Sequence, residues 1–189
     1  MLYFTGKGDK GKTKFGNFNF SKDSLIFETL GELDEINSVI GLAKNYLPKS
    51  FFKNLTEIQN DFFIIQANVA YYLFQKNIKD KGNFSKVKFN FPKLNKDRIQ
   101  ELEEEIKKIE KKIKSQKGFV IYGSDRSSAW FDYLRAIARR VERKIIKFNK
   151  KHKLDDEILS YLNRLSSYFY SVARMICYNK KKKEKSPWY

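Results

Sequence analysis

The chain has 189 residues, 41% of them hydrophobic, which is enough for one domain (1–189) with a sizeable core. A formal charge of +17 suits nucleic acid, a membrane surface or a polyphosphate ligand. One cysteine (Cys177) excludes an internal disulfide and any cysteine-rich metal site, and one histidine (His152) argues against His-based triads and His-ligated zinc.

Residues 1–23 are rich in Gly, Lys and Phe and lack a helical period. They show no basic region followed by an apolar core, so no signal peptide is expected, and a reducing cytoplasm fits. Leu33, Ile36, Ile40, Ala43 and Leu47 then step by three and four, predicting an amphipathic helix that ends before Pro48. A second helix, from about 51 to 75, carries Leu55, Ile58, Phe62, Ile65, Val69 and Tyr72. Its most apolar part, residues 62–74, is broken by Gln66 and Asn68 and is too short to span a bilayer. Residues 77–94, with Gly82 and Pro92, read as a linker or flap. A third helix follows Asn95 as N-cap and bears Ile99, Leu102, Ile106, Ile109 and Ile113; its Glu and Lys faces place it on the outside. A fourth starts after Asp125, and a fifth carries Ile158, Leu162, Leu165, Phe169, Val172 and Ile176. No strand pairing is expected, so the fold class is all-α, an antiparallel bundle of five helices. The lysine run within residues 179–189 reads as a solvated tail, and a Lys-, Asn- and Ile-rich coding bias accounts for part of the charge, which discounts it as evidence for nucleic acid.

Four stretches carry chemistry. Gly6-Lys7-Gly8-Asp9-Lys10-Gly11-Lys12-Thr13 matches a Walker A pattern formally, but the strand before and the helix after that a P-loop requires are missing. The glycines still let backbone N–H groups converge on an anion among lysines; a flexible basic tail is the alternative. In the fourth helix Arg135, Arg139, Glu142 and Arg143 share a face beside the apolar stripe of Leu134, Ile137, Ala138, Val141, Ile145 and Phe148. Arginine forks suit phosphate oxygens and the interleaved Glu a metal, while a solvated face of salt bridges stays open as the bland reading. Gly31-Glu32-Leu33-Asp34-Glu35-Ile36-Asn37-Ser38 puts acids near a helix start, ordinary dipole partners unless Asp34 pairs with an arginine elsewhere. A late Asn163-Arg164-Leu165-Ser166 sets a polar pair beside the core.

Together these motifs, in this order from about Tyr3 to Arg174, resemble the PduO-type ATP:cob(I)alamin adenosyltransferases. The resemblance implies a five-helix bundle that forms a homotrimer, with ATP, Mg²⁺ and cobalamin at each subunit interface. Thr5, Gly6, Lys7, Gly8, Thr13, Lys14 and Lys22 would form the nucleotide loop within residues 1–23. Arg139, Arg140, Glu142 and Arg143 would meet the triphosphate, Glu142 would bind Mg²⁺, and Asn163 would complete the site. Asp34 and Arg135 would form an interface salt bridge, and Phe119 would cover the lower face of the corrin. A reductase and an adenosylcobalamin-dependent enzyme are implied as further partners, with neither membrane nor nucleic acid.

The implied reaction agrees with the single histidine. Cob(I)alamin is already a strong nucleophile, so attack on C5′ of ATP with loss of triphosphate needs no general base. The chain departs from the family pattern at Gly6, at Tyr122-Gly123-Ser124, at Asp132, which could compete with Asp34 for Arg135, and at Ser167. A degenerate nucleotide or corrinoid binder is therefore the nearer alternative, and a basic helical RNA-binding protein the more distant one.

Overall fold

The computed structural model describes residues 4, 6–15, 18–79, 92–113 and 118–188, without the side chains of residues 74–79. A hairpin of β1 (Lys12–Phe15) and β2 (Phe18–Ser21) precedes five helices: α1 (Leu25–Lys44), α2 (Phe52–Lys79), α3 (Lys96–Lys112), α4 (Arg126–Asn149) and α5 (Asp156–Asn179). Most of the expected flap, residues 80–91, lies outside the described residues, as does Thr5.

The helices stand as expected, with local corrections. Helix α1 starts at Leu25, a turn and more before the stripe that marked it. Thr29 occupies the stripe there and is fully buried, because its hydroxyl donates to the Leu25 carbonyl at 2.6 Å. A polar residue satisfied within its own helix costs little in a core, and so hides a helical period. Asn95 caps α3 by accepting from the Asp97 amide at 3.1 Å. Asp125 caps α4 by accepting from Ser127 at 2.8 Å and Ser128 at 3.4 Å.

Helix α4 packs between α1 and α5, α3 leans on α5 from outside, and α2 packs on α1. The fully buried residues Leu33, Ile36 and Ile40 of α1 meet Leu134, Val141 and Ile145 of α4 in one core with Phe62 of α2 and Leu165 and Phe169 of α5. Helix α3 contributes only Leu102 and Ile109 to the buried set, as its charged faces require. A polar cluster ties the outer layer in. Asp61 of α2 accepts from Arg98 of α3 at 2.9 and 3.0 Å and from the Tyr161 hydroxyl of α5 at 2.7 Å. Burial and the Asp61 carboxylate push the Tyr161 phenol well above its ordinary value.

Two expectations are overturned. Strands do pair: Thr13 sits opposite Phe20 and Phe15 opposite Phe18, and Phe20 packs edge-on against Phe27 of α1 at 5.9 Å. Four residues per strand are too few for a period-two pattern to stand out, and the aromatic face needs α1 to hold it. The lysine tail is not simply solvated. After α5 the chain turns at Lys181, with φ 52°, and the Lys182 amide donates back to the Cys177 carbonyl at 2.8 Å. Lys180 then pairs with Asp125 at 2.9 Å, and the Ile121 amide donates to the Lys185 carbonyl at 2.8 Å. The lysine side chains of residues 181–183 remain exposed.

Candidate functional site

The loop before β1 is a succession of tight turns, with Asp9 N–H donating to Gly6 at 3.3 Å and Gly11 N–H to Gly8 at 3.2 Å. Strand β1 follows where a P-loop would have a helix, which disposes of that fold. Lys22 closes the loop: its amide donates to the Gly11 carbonyl at 2.9 Å, and its ammonium lies beside Gly8. A Cβ on Gly8 would come within 2.8 Å of that ammonium, so the glycine makes room for Lys22. Gly6, Lys7, Gly8 and Lys22 thus form one basic turn. Thr13 and Lys14 point to opposite faces of the hairpin, Thr13 with the aromatics and Lys14 outward.

The arginines of α4 separate by face. Arg140 lies towards α1 and pairs with Glu32 at 2.7 Å and with Glu35. These carboxylates outweigh its partial burial and hold the guanidinium above its ordinary pKa, the Glu35 hydrogen bond being the largest contribution. Arg139 and Arg143, exposed and one turn apart, carry no such intrachain tether among the described residues. On the α5 side, Asn163 donates to Glu142 at 3.0 Å and accepts from Arg164 at 2.7 Å. Glu142 is therefore held by one hydrogen bond with carboxylate capacity to spare.

Arg135 and Arg139 open into a cleft of about 550 Å³ between α3, α4, α5 and the loop from Gly118. Phe119, Tyr122, Ser166, Ser167 and Tyr170 share it. Phe119 is 73% exposed and Tyr122 49%, a placement with no benefit to a monomeric core. The guanidinium of Arg135 lies 5.8 Å from the Tyr122 ring and 5.6 Å from Tyr170, within cation–π range of both. The structure thus brings Phe119, Arg135 and Arg139 together, and adds Tyr122 and Tyr170. Sequence reasoning noted Tyr122 only as a departure and missed Tyr170, whose sole signal was an aromatic off the α5 stripe.

Asp132 does not compete for Arg135. It is buried and accepts from Arg174 of α5 at 2.6 and 2.7 Å. Burial pushes its carboxyl above the ordinary value, with Arg174 pulling the other way and Arg135 contributing least. Asp34 lies on a different surface, in a shallow exposed depression with Phe27, Leu30, Phe63 and Ala67. Phe63 is 61% exposed there, so α1 and α2 present a partly apolar face around the carboxylate.

Among the described residues there is no cluster of three or more potential metal ligands of the His, Cys, Asp and Glu types. Among the same residues, no helix is long and apolar enough to cross a membrane. A family model described as cobalamin adenosyltransferase matches residues 3–176. The corrinoid adenosyltransferase of Bacillus subtilis (strain 168) is 31% identical over 181 residues, covering 93% of this chain and 86% of that protein. The corrinoid adenosyltransferase MMAB of Homo sapiens is 25% identical over 186 residues, covering 96% and 71%. Among solved structures, a variant PduO-type ATP:corrinoid adenosyltransferase from Lactobacillus reuteri, complexed with cobalamin and ATP, superposes with a TM-score of 0.83 at 25% identity, covering 99% of this chain and 97% of that one. A basic glycine turn, an arginine-bearing helix and an aromatic-rimmed cleft on one bundle are what that likeness spans, and the chain belongs to the cobalamin adenosyltransferase family.

Proposed function

We propose that the cleft of Phe119, Tyr122, Arg135 and Arg139 receives the corrinoid, and that the basic turn of a neighbouring copy meets Arg139 and Arg143 around ATP. The protein is an ATP:corrinoid adenosyltransferase, moving the 5′-deoxyadenosyl group of ATP to cob(I)alamin. The observation that supports the placement is the shared cleft of two arginines and an exposed phenylalanine. A corrin ring needs an apolar surface, and a leaving triphosphate needs fixed positive charge.

The chemistry asks little of side chains as acids or bases. The cobalt(I) lone pair attacks C5′, the C5′–O bond breaks, and its electron pair leaves with triphosphate. Cobalt becomes formally cobalt(III), and no proton moves at the reacting carbon. The residues therefore position and neutralise. Gly6, Lys7, Gly8 and Lys22 hold phosphates through N–H groups and ammoniums, with Thr5, Thr13 and Lys14 as further contacts of the same loop. Arg139 and Arg143 stabilise charge as it develops on the triphosphate. Arg140, tied to Glu32 and Glu35, sets the bearing of α4 against α1 and offers its remaining N–H capacity to phosphate. Phe119 lies against the lower corrin face and keeps an axial ligand away from cobalt, easing reduction to cobalt(I).

Glu142 with Asn163 fits a Mg²⁺ that rides on the nucleotide, since Mg²⁺ takes one or two carboxylates beside phosphate and water. Bound there, Mg²⁺ would offset triphosphate charge. The assembly we propose is a homotrimer. Asp34, on its exposed face, pairs with Arg135 of the next copy, which seats the turn of one subunit beside the arginine helix of another. A reducing cytoplasm, a reductase that delivers cobalt(I) and an enzyme that consumes adenosylcobalamin complete this reading.

The test mixes two impaired variants. Lys22→Glu damages the turn and Arg139→Ala the arginine helix; each alone is expected to lose adenosylcobalamin formation in an anaerobic assay with reduced cobalamin, Mg²⁺ and ATP. In equimolar mixed oligomers about a quarter of interfaces would regain both residues, restoring about a quarter of wild-type activity. Mixed oligomers that form without any recovery would place turn and helix of one site on the same subunit and overturn the proposal.

A further inference from the structure

The docked segment after α5 converges on the same cleft from behind, through a buried ion cluster. Arg174 is 5% exposed in its side chain, Asp132 3% and Glu184 4%. Asp132 accepts from one terminal nitrogen of Arg174 at 2.6 and 2.7 Å, and Glu184 lies 2.5 Å from the other. Two carboxylates on one guanidinium leave a surplus negative charge, to which Arg135 adds only a small opposing attraction at Asp132. A buried charge cluster of this kind is costly to form and costly to break piecemeal, so it persists as a unit.

The unit touches the cleft at two points. The guanidinium of Arg174 lies 5.8 Å from the Tyr122 ring and 5.0 Å from Tyr170, the same rings that Arg135 approaches. One residue beyond Glu184, the Lys185 carbonyl accepts from Ile121, between Val120 and Tyr122. At the other end of the loop, Lys180 pairs with the α4 cap Asp125. The loop of Phe119 and Tyr122 is thus gripped by the tail at Ile121 and at Asp125. Gly123, with φ 94°, lies between these grips and gives the chain the turn it needs there.

We propose that residues 180–185 are a clip that positions this loop for the corrinoid, with Glu184 as the positioning residue: it fixes Arg174 behind Tyr122 and brings the Lys185 carbonyl to Ile121. The clip rests on the assignment of the cleft to the corrinoid. It accounts for why a segment dominated by lysine carries one acid at a buried position, a feature that solvation of the tail would not require. It also gives the Tyr122 and Asp132 departures a common setting, since both side chains pack on Arg174.

Two variants test it. Glu184→Ala removes the ion pair, and truncation after Glu184 keeps the carboxylate but removes the Lys185 carbonyl. Amide hydrogen exchange at Ile121 is expected to accelerate at least about tenfold in both, because the bond that protects it is lost. The corrinoid KM is expected to rise several-fold, roughly as for a loosened binding loop, with the ATP KM unchanged. Glu184→Gln, which keeps the shape but not the charge, should recover part of the protection. Unchanged exchange at Ile121 in a folded Glu184→Ala protein would overturn the clip. So would faster exchange with an unchanged corrinoid KM, provided Phe119→Ala does raise that KM. A silent Phe119→Ala would instead remove the corrinoid from the cleft, and exchange at Ile121 would still decide whether the tail holds the loop.

Discussion

Two arginines of this bundle meet buried aspartates, and their surroundings part company beyond the pair. Arg98 reaches from α3 to Asp61 of α2, where Tyr161 also donates. The small cleft beside it, about 190 Å³, is lined by Glu57, Glu101, Glu104 and Glu105 against Lys108 and Arg98 itself, a net negative wall that disfavours phosphate. Arg174 reaches from α5 to Asp132 of α4, and what lies beyond is the larger cleft with Arg135, Arg139 and exposed aromatics. The same ion-pair chemistry serves the fold in one place and a binding surface in the other. The neighbouring charge and exposure distinguish them, since the pairs themselves look alike.

Cutting the first cluster should cost stability and leave chemistry intact. Asp61→Ala strands the Tyr161 hydroxyl in the core and removes a principal partner of Arg98. Breaking such a pair costs about 3 kcal/mol here, the low end of the usual range, because Arg98 keeps Glu57 and Glu101 at its exposed edge. Urea unfolding followed by circular dichroism measures this. The corrinoid and ATP KM of the folded fraction should match wild type, and a selective change in either would make the Asp61 cluster part of the site.

Arg139→Ala should do the converse. Its side chain is exposed in the isolated chain, so unfolding should shift by no more than about 0.5 kcal/mol. Removing a donor that meets charge only as triphosphate departs should lower kcat roughly 10²- to 10³-fold. Single-turnover formation of adenosylcobalamin under anaerobic conditions reads it directly. A folded variant with normal turnover would strip Arg139 of the phosphate role.

Local signals in the sequence were legible and distant ones were not. Asn95 and Asp125 announce helix starts because a cap bonds within three residues of itself. The arginine row of α4 is legible from its helical spacing and Phe119 only through the family resemblance, and the cleft then brings Arg135, Arg139 and Phe119 together. The Asp61 cluster joins residues 37 and 100 positions apart, so neither Arg98 nor Tyr161 carries a local mark. Its one trace was an acid set among Ile58, Phe62 and Ile65 on a buried stripe. Arg98 sat in a helix of alternating charge and read as surface. Glu184 was hidden by the lysines around it, and the reading of Asp132 as a rival for Arg135 failed because Arg174, 42 positions on, takes its carboxylate.

The smallest expected effect belongs to the one histidine, which lies in neither cluster. His152 packs 4.7 Å from Tyr72 and 4.9 Å from Phe148, at the end of α4 away from the arginine cleft. Burial, helped by Lys151, lowers its pKa below the ordinary 6.5. The folded state therefore favours neutral imidazole. Stability from this group is complete above the unfolded pKa and declines as pH falls through about 6.5 towards the lower folded value. His152→Phe keeps the aromatic contacts and removes the proton site, so the thermal midpoint should vary less with pH between about 7 and 5 than in wild type. Adenosyl transfer at pH 7 should be unchanged, because cobalt(I) attack requires no imidazole. If the pH slope of the midpoint were the same in both proteins, the slope would belong to other groups, and not to Asp132, whose raised pKa makes the fold more stable as pH falls; His152 would then be an aromatic spacer alone.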